Sequence, residues 1–188
     1  MRRNWIILDR DGTLIVEKNY LHEPDEVEML PHVVEGLKLL SDHGYVFTVV
    51  TNQSGIGRGY FKSSDVDQVH EKIKELLRDN GVELQGIYMC PHRPEDHCHC
   101  RKPETGLIRK AMEDSGFSLK NLVGVIGDKS SDVELGKTLG VSTVLVMTGY
   151  GRSERSKGVQ PDYYAESFAE AAWWILTQSR EKAVCEDE

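Results

Sequence analysis

Apolar and polar positions follow two alternating periods along the chain. Short apolar runs of strand-forming residues recur at 5–8, 45–50, 86–89, 122–126 and 142–147. They are near-continuous rather than alternating, as expected for strands covered on both faces of a parallel sheet. Between them the period lengthens to that of a helix. Val33, Val34, Leu37, Leu39 and Leu40 mark one helix from Pro31 to near Gly44. Val66, Val69, Ile73, Leu76 and Leu77 mark a second over about 64–80, stopped by Gly81. Further helices are predicted from Pro103 to about Ser115, up to Leu139, and over 168–178, where Trp173 and Trp174 serve as packing residues. Residues 162–164 add a short edge strand. Residues 14–30 are polar and irregular, long enough for a flap but not for a separate domain.

Strands alternating with helices predict an α/β, doubly wound parallel sheet, Rossmann-like, over residues 1–180, with a frayed polar tail over 181–188. Right-handed crossovers bring all carboxyl ends of the strands to one edge. That edge collects Asp9 and Asp11, Thr51 and Asn52, Arg101 and Lys102, and Asp128 and Asp132. The convergence of four loops carrying such groups is a stronger signal than any one of them. Residues 55–59, with glycine at 55, 57 and 59, read as a flexible loop and only weakly as a phosphate cradle.

Asp9 and Asp11 follow the first strand one residue apart, and strand alternation lets both carboxylates face the same space. Two carboxylates so close repel unless a proton or a cation intervenes. With Asp128 they form an oxygen set suited to Mg²⁺. A threonine hydroxyl and a lysine ammonium beside them suit phosphoryl oxygens. These parts predict phosphoryl transfer: Asp9 attacks phosphorus, Asp11 exchanges protons with the leaving alkoxide and then with water, and Thr51 and Lys102 hold the transferring group.

The chain has 188 residues and a formal net charge of −8. That balance disfavours general nucleic-acid binding, although local basic groups still permit an anionic small substrate. No apolar run reaches the length of a membrane span, and residues 1–4 lead directly into a strand without a signal-peptide pattern. The expectation is a cytoplasmic protein with reduced cysteines. Cys90, His92, Cys98 and Cys100 then supply a Cys₃His set for a structural, tetrahedral Zn²⁺. His97 and His99 compete with His92, which is preferred because Cys-x-His mirrors Cys-x-Cys. The zinc would fix the loop that delivers Arg101 and Lys102. Cys185 reads as a bystander.

Asp9-Arg-Asp11-Gly-Thr, Thr51, Lys102 and Gly127-Asp128-x-x-x-Asp132 resemble the four motifs of the haloacid dehalogenase superfamily of phosphatases over roughly residues 5–150. The resemblance implies that Asp9 is the nucleophile and Asp11 the acid/base. Asp11 would also give its backbone carbonyl to Mg²⁺, Asp128 would ligate the metal directly, and Asp132 would act from behind it. The superfamily's separate cap domain is missing, so a small or terminal phosphate on an accessible substrate is expected.

The Cys-Pro-His…Cys-x-Cys-Arg-Lys-Pro segment and the continuation Thr51-Asn-Gln-Ser-Gly-Ile-Gly-Arg narrow the resemblance to the heptose-1,7-bisphosphate 7-phosphatases. The sister histidinol-phosphate phosphatases share the first motif and the zinc segment but not that continuation. This resemblance implies removal of the 7-phosphate in nucleotide-activated heptose synthesis. It places substrate contacts at Glu17 to Tyr20, at Asn52, Gln53 and Ser54, and at Arg101 and Lys129. Asn52 equally suits shaping its own loop, Lys129 pairing with an acid, and Arg58 either a solvated charge or a second phosphate contact. A non-catalytic zinc-stabilised binding module is disfavoured by the intact acidic and basic set, and a DNA 3′-phosphatase by the acidic charge. With no obvious apolar patch, a monomer is expected, with a small sugar bisphosphate as partner and neither nucleic acid nor membrane.

Overall fold

The structure, a computed structural model, describes residues 3–186, with side chains through Gln178. Six strands form one parallel sheet: β1 (Asn4–Leu8), β2 (Tyr45–Asn52), β3 (Leu84–Cys90), β4 (Leu122–Gly127), β5 (Ser142–Val146) and β6 (Tyr163–Ala165). Their spatial order is β3-β2-β1-β4-β5-β6. The chain grows outward on one side of β1, then crosses back to β4 on the other. The switch point between β1 and β4 is where parallel sheets open a crevice.

Side-chain alternation along β1 divides the core. Ile6 and Leu8 pack with α1 (Val33–Asp42), α3 (Ser63–Asp79) and α7 (Phe168–Glu186). Trp5 and Ile7 pack on the opposite face with α4 (Gly106–Ser115) and α5 (Ser130–Leu139). Both faces are thus covered, and burying an aliphatic side chain there contributes roughly 1.5–3 kcal/mol each. Trp5 also stacks on Phe117, with ring centroids 4.5 Å apart.

Several boundaries differ from the sequence expectation. Helix α1 begins at Val33 rather than Pro31, because His32 takes a left-handed conformation at φ 64°. Strand β2 continues through Thr51 and Asn52, pairing Asn52 with Cys90. The expected flexible loop after it is instead a helical turn, α2 (Ser54–Gly57). Its glycines serve close packing: a side chain at Gly55 would strike the Phe61 ring, and one at Gly57 would meet the Pro91 carbonyl. A short helix α6 (Gly151–Ser156) was not expected. Helix α7 runs on to Glu186, so the predicted polar tail starts inside it. Residues 187 and 188 of that tail, and the side chain of Cys185, lie outside the described part.

No helix among the described residues is long and apolar enough to cross a membrane. The segment between β1 and α1 carries a single turn of 3₁₀-helix at Pro24–Glu26, and its two arms are tied by an isolated bridge between Ile15 and Met29.

Candidate active site

The buried end of β1 delivers Asp9 to the switch point, where its amide donates to the Ile126 carbonyl of β4 at 3.0 Å. Gly12 then turns the chain at φ 77°. A side chain there would strike Asp128, so only glycine permits the approach. Asp9, Asp128 and Asp132 are all buried, and their carboxylate oxygens lie within 4.8 Å of one another. The Lys102 ammonium stands among them, 2.8 Å from Asp9 Oδ1 and 2.6 Å from Asp132 Oδ1. Asn52 holds the lysine's backbone: its Nδ2 donates to the Lys102 carbonyl at 3.1 Å and its Oδ1 accepts from the Lys102 amide at 3.0 Å.

Burial opposes the charged forms of these groups, and their neighbours decide the outcome. For Asp9 the ammonium groups of Lys102 and Lys129 outweigh burial and hold the carboxyl below its usual range. For Lys102 the anions Asp132 and Asp9 outweigh burial and raise its pKa. Asp128 goes the other way. Burial, then the charge on Asp9, pushes it up to about 8. Its Oδ2 accepts from the Tyr150 amide at 2.8 Å, while its Oδ1 is buried without a partner among the described residues. A buried carboxylate oxygen without a donor, beside a second carboxylate, fits a hard divalent cation. Asp132 is committed to Lys102 and to the Lys129 amide at 3.1 Å. Its two oxygens are thus each occupied by a protein donor.

Asp11 departs from the expectation. Its carboxylate is outside this cluster and turns to Arg10, whose Nε and Nη2 each donate to it at 2.9 Å. Gln53 Nε2 adds a 2.8 Å bond to Asp11 Oδ2 and another of 2.8 Å to Thr51 Oγ1. The two carboxylates of the first motif thus face different partners, and the acidic cluster is Asp9, Asp128 and Asp132.

The remaining positions divide. Lys129 Nζ lies 3.3 Å from Glu17 Oε2, whereas Asp132 receives only its backbone amide. Tyr20 is exposed and meets Tyr60 edge-on. Ser54 opens α2 and is half-buried. Arg101 does not face the acids; its Nη1 donates to the His92 carbonyl at 3.3 Å. Arg58 pairs loosely with Glu95 at 3.8 Å.

The structure also brings in what the sequence reading passed over. Arg10 was only the residue between two aspartates, although an arginine ending an apolar strand needs a buried anion. A fifth segment, Thr148 to Tyr150 after β5, closes over the switch point. Thr148 Oγ1 donates to the Gly12 carbonyl at 2.6 Å, and Tyr150 holds Asp128. The turn residues after a buried strand were the available signal, since topology sends them to the same edge.

Cys90, His92, Cys98 and Cys100 converge with ligand atoms within 4.8 Å of one another, and His92 rather than His97 or His99 completes the group. Neighbouring ligand atoms are 3.2–3.6 Å apart. Zinc–sulfur bonds near 2.3 Å imply tetrahedral edges of about 3.8 Å, so the cluster is slightly tighter than that geometry. A concavity of about 790 Å³ lies at the opposite end of the sheet, by Arg3, Tyr45 and Glu83, away from all these groups.

Two family models match the chain. One described as polynucleotide kinase 3 phosphatase matches residues 4–131, and one described as HAD-hydrolase-like matches residues 99–171. Fold and site thus define a phosphatase of the haloacid dehalogenase type. The chain is similar to D-glycero-β-D-manno-heptose-1,7-bisphosphate 7-phosphatase of Pasteurella multocida, 40% identical over 88% of this chain and 92% of that one. It is also similar to D-glycero-α-D-manno-heptose-1,7-bisphosphate 7-phosphatase of Photorhabdus laumondii, 36% identical over 78% of this chain and 84% of that one. The crystal structure of D,D-heptose 1,7-bisphosphate phosphatase from B. bronchiseptica, complexed with magnesium and phosphate, superposes with a TM-score of 0.83. It is 31% identical and covers 93% of this chain and 99% of its own. The chain belongs to the family of D-glycero-D-manno-heptose-1,7-bisphosphate 7-phosphatases.

Proposed function

We propose that this protein is a Mg²⁺-dependent phosphatase that removes the 7-phosphate of D-glycero-D-manno-heptose 1,7-bisphosphate in nucleotide-activated heptose synthesis. The observation that carries the chemistry is the buried Asp9–Lys102–Asp132 array beside the unpartnered Asp128 oxygen. The substrate follows from the names of the relatives, which favour a heptose bisphosphate over histidinol phosphate.

In this reading an Asp9 oxygen attacks phosphorus and the bond to the leaving oxygen breaks. Asp11 turns from Arg10 to give that oxygen its proton, leaving an aspartyl phosphate. Asp11 then takes a proton from water as the water attacks phosphorus, which releases phosphate and restores Asp9. Lys102 and Thr51 hold the transferring group's oxygens, and Lys102 keeps Asp9 ionised. Asp9 and Asp128, with the Asp11 backbone carbonyl, would hold Mg²⁺, which offsets the repulsion between phosphate and Asp9. Glu17, Tyr20, Gln53, Ser54 and Lys129 would contact the sugar. Asn52 acts through the Lys102 backbone, and Arg101 would have to leave the His92 carbonyl to reach substrate. The Cys₃His group holds a structural Zn²⁺ that fixes the loop from Cys90 to Lys102.

The test is phosphate release with Mg²⁺ from both anomers of heptose 1,7-bisphosphate, histidinol phosphate and a 3′-phosphorylated oligonucleotide. The oligonucleotide answers the polynucleotide kinase 3 phosphatase model over residues 4–131. A kcat/KM at least a hundredfold higher for the bisphosphate is expected. Preference for either competitor overturns the substrate assignment.

A further inference from the structure

Lys129 carries a long, flexible stem, yet its ammonium is held from two sides. Glu17 Oε2 stands 3.3 Å away, and the Tyr150 ring lies beneath it at 4.7 Å from the ring centroid. An ammonium over a tyrosine face at this distance is attracted by the ring's quadrupole. Tyr150 is itself fixed at its backbone, where its amide donates to Asp128 Oδ2 at 2.8 Å. One residue therefore touches both the acidic cluster and the cation at its edge.

The surroundings point outward to a ligand. Tyr150 is 39% exposed, and its hydroxyl stands 3.5 Å from Asn19 Oδ1. Asn19 and its neighbour Tyr20 both adopt left-handed backbone, at φ 47° and 66°. Two successive non-glycine residues in that region store strain of the kind found at binding sites. Tyr20 in turn meets Tyr60 edge-on, with centroids 4.9 Å apart. Tyr150, Asn19, Tyr20 and Tyr60 thus make a continuous rim of aromatic faces and amide groups. An ammonium has three N–H donors. Glu17 accepts one, which leaves others for an arriving anion or hydroxyl.

We propose that Tyr150 is a positioning residue that fixes the Lys129 ammonium for the part of the substrate distant from the transferring phosphoryl group. The ligand class is a phosphorylated polyol bearing a second anionic group, and the inference rests on the substrate reading above. The ring face does the positioning. It replaces a mobile surface cation by one held between the Glu17 carboxylate and the Tyr150 ring, so less rotamer freedom is lost when substrate binds. Because the ring is well exposed, removing it takes little from the core.

The experiment compares wild type, Tyr150→Phe and Tyr150→Leu on heptose 1,7-bisphosphate and on p-nitrophenyl phosphate, which has no second anion. Both variants keep the amide that holds Asp128. Tyr150→Leu is expected to raise KM for the bisphosphate roughly three- to tenfold, more than it changes kcat, with the kcat/KM ratio of bisphosphate to small ester falling correspondingly. Tyr150→Phe, which keeps the face, is expected to stay within about twofold of wild type. An unchanged ratio in Tyr150→Leu overturns the proposal, as does equal damage by both variants. A fall in kcat shared by both substrates also overturns it, since that marks disturbance of Asp128. A wild-type enzyme that turns over the small ester but not the bisphosphate instead overturns the substrate reading, and with it the role given to Lys129.

Discussion

Arg10 grips its own neighbour Asp11 through two 2.9 Å hydrogen bonds, with the guanidinium almost wholly sealed from solvent. The paired geometry fixes the plane of the carboxylate and occupies both of its oxygens. Removing one partner of such a buried pair leaves the other charge uncompensated, at a cost of about 3–5 kcal/mol. Arg10→Met is therefore expected to lower thermal stability and to reduce kcat at least tenfold, because Asp11 loses its reference position. Arg10→Lys should fall between, having a single point charge in place of the fork. Steady-state kinetics with a thermal melt checks this. Wild-type kcat in Arg10→Met would remove Arg10 from any part in the reaction.

Asp9→Asn tests the covalent step directly. The amide is nearly isosteric and Lys102 keeps Asp132 as its partner, so the variant should fold with a melting temperature within a few degrees of wild type. Phosphate release should drop below detection, since a carboxamide is a poor nucleophile. Appreciable turnover in a variant confirmed by mass would sink the aspartyl-phosphate reading.

The loop from Cys90 to Cys100 offers a third prediction. Metal analysis of the purified protein should find close to one zinc per chain. Chelation should lower the melting temperature and speed hydrogen exchange over residues 90–102, with loss of turnover as Lys102 loses its support. With excess Mg²⁺ present throughout, re-addition of Zn²⁺ should restore both. If chelation leaves melting temperature and turnover alike unchanged, the four ligands hold no structural metal.

His70 on α3 sets a pH dependence of stability. Burial, then the charges of Arg10 and Lys74, depress its pKa from 6.5 to about 3. Its Nε2 has no hydrogen-bond partner among the described residues. Between those values the unfolded chain holds a proton that the folded chain does not. Stability from this group is therefore complete above pH 6.5 and is lost on acidification toward 3, at up to about 1.4 kcal/mol per pH unit. Urea melts of wild type and His70→Gln at pH 7 and pH 5 should show a gap in the loss of roughly 2 kcal/mol. Parallel losses in the two proteins would refute it.

Most of the architecture was legible because β1, β2, β4 and β5 are buried on both faces and so read as unbroken apolar runs. That Asp9 and Asp128 meet at one edge, and that Cys90, His92, Cys98 and Cys100 converge, was legible from topology and spacing, whereas Asp132 rather than Asp11 completes the acidic cluster. The orientation of Asp11 was not legible. Alternation placed it beside Asp9, but the chain leaves strand geometry at Gly12, and Arg10 supplies a closer counter-charge. Nor was the part played by Thr148 and Tyr150, which carry no formal charge and act through a hydroxyl, an amide and a ring face. The glycines of α2 misled for a similar reason: composition alone does not distinguish glycine that frees a loop from glycine that lets Phe61 and Pro91 approach.

Asn52 is the last residue of β2, and its side chain bonds both the amide and the carbonyl of Lys102. In effect the ladder of the sheet is extended by one rung made from a side chain, and the active lysine hangs on that rung. Its position is then a property of strand register as well as of the loop that carries it. A small slip of β2 against β3 moves the ammonium relative to Asp9 long before the molecule unfolds. Core substitutions should therefore sort by place. Those within β2, such as at Val49 or Val50, register first as slower turnover, and those within β5 and β6 first as a lower melting temperature.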